Sequence, residues 1–409
     1  MVMKKFFILC LLVLSMKGMA QKFDGLALTP PLGWNSWNTF ATNIDENLVR
    51  QVADSMVSSG MRDAGYQYIV IDDGWMTHER DAVTGDLVPD PVKFPGGLKK
   101  LIQYVHSKGL KFGIYNCAGT QTCGGYPGTR GYEYQDARFY AALEVDYLKY
   151  DWCYTDGIQA QEAYQTMSKA IRAAGRPMVF SLCEWGTFSP WKWAAPMGHL
   201  WRVSGDIYNC FDCIKDHGTW KSWGVTHILD MHPDIRSYAG PGHWNDLDML
   251  EVGNGMTEAE DRSHFTLWAL QCSPLMAGND IRKMSAATKN ILTNKMVIGI
   301  NQDSLGSPAF LLQKIDSVDI WVKPLQNGKW AYCFFNRSLK PFTLTQDWKN
   351  FTDTLTQNSI DFATQVYAWQ DAWLPKQKGD TRKPIKALIG AHDVLLLELS
   401  PLSLLKKSK

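Results

Sequence analysis

Residues Ile69 to Trp75 read IVIDDGW, three β-branched apolar residues running straight into two carboxylates, a glycine and a tryptophan. The design recurs in DYLKYDWC (Asp146 to Cys153), LWRVSGD (Leu200 to Asp206) and HWNDLDML (His243 to Leu250). A soluble core strand has no structural need to finish in acid. If parallel strands end this way on one side of a barrel, their carboxylates converge in one cup. Like charges crowded there raise one another's pKa, which is costly unless chemistry uses it. The pattern points to acid–base or nucleophilic work by carboxylates.

Outward from these segments a strand–helix alternation appears. Apolar or aromatic runs lie near 27–35, 66–72, 111–116, 145–151, 177–183, 200–205, 242–249 and 273–278. Between them, Leu48, Val52 and Met56 share a helical face in the segment beginning at Asp45, and Leu98, Leu101, Ile102, Val105 and Leu110 follow Pro95-Gly96-Gly97. Further helices are expected over Tyr132–Leu143, Gly157–Ala174, Thr257–Gln271 and Ala286–Asn301. Eight β/α units over about 280 residues predict a (β/α)8 TIM barrel. A doubly wound open sheet would want a Gly-rich phosphate loop after its first strand. That strand ends instead in Gly33-Trp34-Asn35-Ser36-Trp37.

From Pro308 short alternating runs take over: DIWVKPL, KWAYCFFN, FTLTQDW, QVYAWQ and DVLLLEL, with a turn at Gln326-Asn327-Gly328. They predict an antiparallel β-sandwich without acid-terminated strands, placed to pack against the barrel. The expected division is a leader at 1–20, a catalytic barrel at 21–307 and a sandwich at 308–409.

Net charge over the 409 residues is +1, and the only basic run is the terminal Lys406, Lys407, Lys409 cluster, so no nucleic-acid partner is expected. Met1 to Ala20 has the form of a cleaved export signal: Lys4 and Lys5 precede the apolar run Phe6–Leu14, and Gly18-Met19-Ala20 offers small residues for cleavage. That run is too short to span a membrane, and no other long apolar segment follows. A periplasmic or secreted protein is expected. Cys10 raises a lipoprotein alternative, but Leu9 before it is bulky where lipidation needs a small residue.

Eight cysteines remain after cleavage: Cys117, Cys123, Cys153, Cys183, Cys210, Cys213, Cys272 and Cys333. In an oxidising compartment some should pair. Cys210 and Cys213 stand as C-x-x-C, but no second pair completes a zinc site, so a local disulfide or two free thiols is preferred and no metal is expected. Seventeen tryptophans prove nothing by number. Trp34, Trp37, Trp75, Trp152, Trp185 and Trp244, however, sit beside Gly, Asn or Asp, as sugar-stacking platforms often do.

In such a barrel the site lies at the C-terminal ends of the strands, which would place Asp72, Asp73, Asp151, Asp206, Asp246 and Asp248 on one rim. Glycoside cleavage needs two carboxyls facing the scissile bond. Asp151 is the nucleophile candidate, since the neighbouring cation of Lys149 should keep it ionised. Asp206, reached through Arg202-Val203-Ser204-Gly205, is the acid/base candidate, its loop position giving access to a leaving group.

At this point the chain resembles glycoside hydrolase family 27, the α-galactosidases and α-N-acetylgalactosaminidases, from about Leu28 to the C-terminus. The motifs stand as TPPLGWNSWN, YIVIDDGW, GIYNCAGTQTCGGYPG, DYLKYDWC, SLCEWG, WRVSGDI and GPGHWNDLDML, seven in order at barrel spacing. The resemblance implies double displacement with retention, Asp151 as nucleophile, Asp206 as acid/base, and no cofactor. Retention in turn implies carboxyls roughly 5–5.5 Å apart. It further implies that Asp72 and Asp73 bind the C4 and C6 hydroxyls and that Trp37, Trp75 and Tyr115 wall the pocket. Lys149 would take hydroxyls on the C3–C4 side, with Arg202 and Asp248 also on the sugar. Cys123 and Cys153 match the family's disulfide. Cys183-Glu184-Trp185 matches the form whose bulk near C2 excludes an acetamido group, which favours galactose, although Gly186-Thr187 departs from the animal members. Cys183 lacks the partner seen there, Gly198 standing in its place, and would be a free pocket thiol.

The expected partner is therefore an α-galactoside oligosaccharide or polysaccharide. Related readings are β-L-arabinopyranosidase and α-N-acetylgalactosaminidase. A different class would be a galactose-binding protein without catalysis, but both acids are present. Plainer roles compete at single residues. Asp72 and Asp73 could cap a helix, and Asp246 is as readily a structural loop acid as a site residue. Trp152, Trp191 and Trp193 suit packing, His232 and His243 suit loop or core roles, and Met249 suits a wall beside the sugar. Sequons at Asn336 and Asn350 carry little weight behind a bacterial-type leader.

Overall fold

The computed structural model describes residues 22–352 and 360–402; the expected leader and the terminal lysine cluster lie outside them. Eight parallel strands form one sheet: Leu32–Asn35, Tyr68–Val70, Lys111–Cys117, Tyr147–Asp151, Val179–Cys183, Leu200–Arg202, Trp244–Asp246 and Leu275–Ala277. Each pairs with the next in this order, and the eighth pairs back onto the first. Between seventh and eighth, closure rests on one parallel bridge, Leu250 to Ala277, where the Leu250 N–H donates to the Met276 carbonyl at 2.7 Å. All eight expected runs carry a strand.

Period-two alternation sorts the strand residues. Outward positions such as Ile69, Phe112, Ile114, Leu148, Tyr150, Phe180, Leu182 and Trp201 join the main core under the helices. Inward positions form an apolar plug of Tyr68, Val70, Tyr147, Val179, Leu200, Trp244 and Met276. Two strands supply glycine at this level because the plug leaves no room. A Cβ on Gly33 would lie 2.5 Å from the Tyr68 carbonyl oxygen, and one on Gly113 would lie 2.7 Å from Val70. One pleat further along, the inward positions turn polar: Asn35, Lys149, Ser181, Cys183, Arg202 and Asp246 line one cavity with Asp248. The change from plug to polar cup is what the acid-terminated strands encode.

Helices begin where capping chemistry allows. The Asp45 carboxylate accepts the Leu48 N–H at 2.7 Å to open Glu46–Ser58, and a Thr257/Glu260 capping box opens Glu258–Leu270. Helices also occupy Leu98–Ser107, Glu133–Leu143 and Ala160–Ala174. Two departures from expectation stand out. The run over Ala286–Asn301 is two helices, Ala286–Leu292 and Lys295–Asn301, because Asn294 caps the second by accepting the Met296 and Val297 N–H groups. Between fifth and sixth strands there is only the short 3-10 turn Pro190–Lys192, and sixth to seventh is joined by a hairpin, Ile214–Asp216 with Lys221–Trp223, and the helix Val225–Met231.

Six strands of the C-terminal unit form an antiparallel sheet: Phe310–Ile315, Val318–Pro324, Trp330–Asn336, Val394–Pro401, Tyr367–Asp371 and Lys378–Asp380. Phe342–Gln346 and Ile385–Ile389 pair separately. Alternation again divides the faces. Val318, Ile320, Val322, Tyr332 and Phe334 fill the sandwich's own core, whereas Trp321, Ala331, Cys333 and Phe335 join the barrel's core. Polar ties reinforce the join, with Arg262 Nε and Nη2 on the Asp393 carboxylate and Lys323 Nζ 2.6 Å from the Ser307 carbonyl. Asn336 is buried and donates to the Lys340 and Gly390 carbonyls, so that sequon is not presented for modification.

Candidate active site

The cup is built from strand ends. Asp72 follows the second strand with only 2% of its surface exposed, and its Oδ2 accepts from Lys149 Nζ and Asn35 Nδ2, both at 2.8 Å. Asp73 is equally buried. Its Oδ2 accepts the Gly124 N–H at 2.7 Å, and burial raises its carboxyl above the usual range. Gly124 adjoins Cys123, and Cys123 forms a disulfide with Cys153, just beyond the fourth strand. The loop after the third strand is thereby tied to the segment following Asp151.

Asp151 ends the fourth strand, 6% exposed, with Oδ1 accepting the Trp152 N–H at 2.9 Å. Its pKa is raised to about 6, by burial first; Lys149 opposes the rise, while Asp206 and Asp72 add to it. Lys149 acts in the expected direction, drawing the carboxyl down, but not far enough to offset burial. The cation is committed to Asp72, and its field on Asp151 is outweighed by desolvation.

Arg202 organises the other half. Its Nη2 lies 3.1 Å from Asp206 Oδ1 and 2.8 Å from Asp248 Oδ2, and Nη1 lies 3.6 Å from Cys183 Sγ. Asp206 contrasts with its neighbours, keeping 41% of its side chain exposed against 4% for Asp248. Asp248 has a left-handed backbone, φ 80°, uncommon for a side-chain-bearing residue. Hydrogen bonds hold it there: its N–H donates to Asp246 Oδ1, its Oδ2 accepts the Ile207 N–H and its carbonyl accepts from Trp268 Nε1. Asp246 therefore braces Asp248 while lining the same cavity, and burial raises its pKa to about 6.

The remaining expected residues divide. Trp37 and Trp185 are half-buried, and Trp185 is also left-handed at φ 60°. Tyr115 places its ring 5.2 Å from Lys149 Nζ. Trp75 has no exposed surface; it donates to the Tyr115 carbonyl and stacks on Phe139, so it supports the wall from behind. Glu184 is buried too. Its Oε2 accepts the Phe188 N–H at 2.7 Å, its Oε1 has no hydrogen-bond partner among the described residues, and burial raises its pKa to about 8. Cys183 is an unpaired buried thiol, as are Cys117, Cys272 and Cys333, while Cys210 and Cys213 form a local disulfide.

Sequence reasoning missed Asn35, whose amide holds Asp72. The signal was available: it stands one pleat beyond Gly33, as the acids stand beyond their own strands' apolar positions. Cys123, Cys153 and Asp151 have the proximity of a metal site, ligand atoms within 4.8 Å, but the disulfide consumes both sulfurs. A buried carboxyl and an accessible one on one rim, beside buried charged groups, have the chemistry a sugar-cleaving site needs.

A barrel with this rim, carrying a sandwich at its C-terminal side, defines a glycoside hydrolase. A family model described as "Alpha galactosidase A" matches residues 29–303, and one described as "Alpha galactosidase C-terminal beta sandwich domain" matches 316–399. The chain is 51% identical to "Alpha-galactosidase A" of Cellvibrio japonicus over 95% of its own length and 96% of that protein's. It is similar to the crystal structure of α-galactosidase I from Mortierella vinacea, with TM-score 0.85, 38% identity, and 92% and 98% of the two chains covered. The α-galactosidase of Saccharomyces cerevisiae solved with raffinose matches with TM-score 0.84 and 29% identity over 93% and 99%. The chain belongs to the α-galactosidases of glycoside hydrolase family 27, a retaining family.

Proposed function

We propose that Asp151 and Asp206 carry out the two displacements, in an exported enzyme that removes terminal α-linked galactose from oligosaccharides or polymer side chains. An Asp151 oxygen attacks the anomeric carbon as its bond to the leaving oxygen breaks, and that oxygen takes the Asp206 proton. Asp206, now a carboxylate, removes a proton from water; the water oxygen attacks the same carbon and expels Asp151, restoring the original configuration. The reading rests above all on one contrast: a buried carboxylate at a strand end beside an accessible one that Arg202 ties to Asp248.

Asp72 with Lys149, Asp73, and Arg202 with Asp248 are assigned to sugar hydroxyls, Trp37 and Tyr115 to the wall. Cys183-Glu184-Trp185 is assigned to the C2 side. Charged groups held in place by other side chains suit this task, because a site that hydrogen-bonds a hydroxyl rejects an analogue lacking it. Asp73, the partner assigned to the C6 hydroxyl, favours galactose over arabinopyranose. In this proposal barrel and sandwich divide at residues 307 and 308, the sandwich serving as a brace. Two disulfides fit an oxidising compartment reached by way of the leader, and no helix among the described residues is long and apolar enough to cross a membrane.

The test is hydrolysis of aryl α-galactoside, α-N-acetylgalactosaminide and β-L-arabinopyranoside in parallel, with the product anomer followed by NMR. Preference for the first, releasing α-galactose initially, is expected. Initial release of β-galactose, or full activity in Asp151→Asn, would overturn the assignment.

A further inference from the structure

We infer that the hairpin rising from Asp206 is the platform for the leaving part of the substrate, with Tyr208, His217 and Trp220 binding sugar rings beyond the scissile bond. The inference rests on the reading of Asp206 as acid/base. Exposure orders the site along one axis: Asp72, Asp73, Asp151 and Asp248 are buried, and Asp206 opens to solvent. A proton donor must face the leaving oxygen, so everything attached to that oxygen extends on the Asp206 side.

What stands on that side is continuous with Asp206 itself. The Asp206 carbonyl accepts the Trp223 N–H at 3.0 Å, and the Trp223 carbonyl accepts the Tyr208 N–H at 2.9 Å. Ile214–Asp216 and Lys221–Trp223 then pair as a hairpin; at its base the Gly224 N–H donates to the carbonyl of Cys213, which a disulfide to Cys210 holds in a tight local loop. Its aromatic rings face outward as one array. His217 stacks on Trp220 with ring centroids 3.9 Å apart, Tyr208 meets His217 edge-on at 6.3 Å, and Ser222 Oγ lies 2.8 Å from His217 Nε2. Trp220 is 50% exposed and Tyr208 38%.

A single exposed aromatic needs no explanation, but a hydrogen-bonded, ordered row beside a proton donor does. Pyranose rings offer apolar C–H faces to such rings, and an array fixed in advance loses little freedom on binding. Trp220 stands three residues beyond Trp223, about 10 Å at strand rise. Tyr208 therefore serves the first sugar past the cleaved bond, and the His217–Trp220 stack serves the next.

The experiment compares raffinose, which carries two sugars beyond its galactose, with α-galactosyl fluoride, which carries none. In Trp220→Ala, kcat/KM for raffinose should fall roughly five- to tenfold, mostly through KM, the size of one stacking contact. Turnover of the fluoride and the melting temperature should stay as in the parent, and Trp220→Phe should recover most of the loss. Equal losses on both substrates would make Trp220 merely structural, and unchanged raffinose kinetics would place the platform elsewhere; either overturns the inference. A parent enzyme that cleaves neither substrate would instead remove the functional reading beneath it.

Discussion

Lys149 Nζ sits 2.8 Å from Asp72 Oδ2, across the third strand, while no ion pair among the described residues joins it to Asp151 two positions along its own strand. Both strand neighbours point into the cup, yet the cation is held by the acid that is almost fully buried. The nucleophile candidate is left with a backbone N–H and a more distant field. In the proposed reading binding falls to Asp72 and attack to Asp151, and the Lys149 ion pair is what sets the two carboxylates apart.

Lys149→Met should expose that division. Asp72 would keep the Asn35 amide and the Asp73 N–H but no cation, and breaking one partner of a buried pair costs about 3–5 kcal/mol. Urea unfolding should show a loss of that order. Because Lys149 lowers the Asp151 pKa, the acidic limb of activity should move to higher pH. An unchanged limb would show that Lys149 has no electrostatic reach to Asp151.

Asp206 acts on Asp151 in the opposite sense. With Asp151 at about 6, kcat/KM should fall as pH drops through that value, since the nucleophile must be ionised in the free enzyme. Asp206 adds to the rise, so Asp206→Asn should shift the limb to lower pH. The measurement uses α-galactosyl fluoride, whose leaving group needs no proton donor. A limb that rises or stays in place would contradict the coupling.

The Cys123–Cys153 disulfide closes a segment of sequence separation 30 and holds the loop whose Gly124 N–H binds Asp73. Replacing both cysteines by serine should cost about 3–4 kcal/mol by chain entropy. It should also raise KM more than it lowers kcat, because a loosened Gly124 frees a binding carboxylate and leaves Asp151 on its strand. Parallel changes in both constants would mean that the nucleophile had moved too.

How much of this was legible follows from where the information lies. Most of the strands were readable because they are apolar through the plug and polar one pleat later, as from Val70 to Asp72, Tyr147 to Lys149, Leu200 to Arg202 and Trp244 to Asp246, a change written within a few residues. The hairpin after Asp206 was not: Ile214–Asp216 and Lys221–Trp223 are short and solvent-facing, and only Ser222 is buried in both strands, so no alternation marks them. Asn294 did carry a signal, an N-cap residue inside an apolar run, that periodicity alone overrides. The partner of Lys149 could not be read at all. Spacing along one strand favours Asp151, whereas the closed barrel brings Asp72 within reach, and only the fold chooses between them.

Asp151→Asn separates catalysis from folding. Removing the attacking oxygen should lower kcat by about six orders of magnitude, as loss of a nucleophile does elsewhere. Stability should move the other way. The folded pKa of about 6 lies above an unfolded value near 3.9, so the native state binds the proton more tightly. That contribution is complete below about pH 4 and is lost as pH rises through 6, where a buried carboxylate becomes charged. Asparagine never ionises. Parent and variant should therefore melt at similar temperatures at pH 4, with the variant higher by pH 7. A variant that is inactive and melts lower at both values would mean that Asp151 supports the fold, and its place as nucleophile would then need the trapped galactosyl-enzyme, by mass spectrometry, to stand.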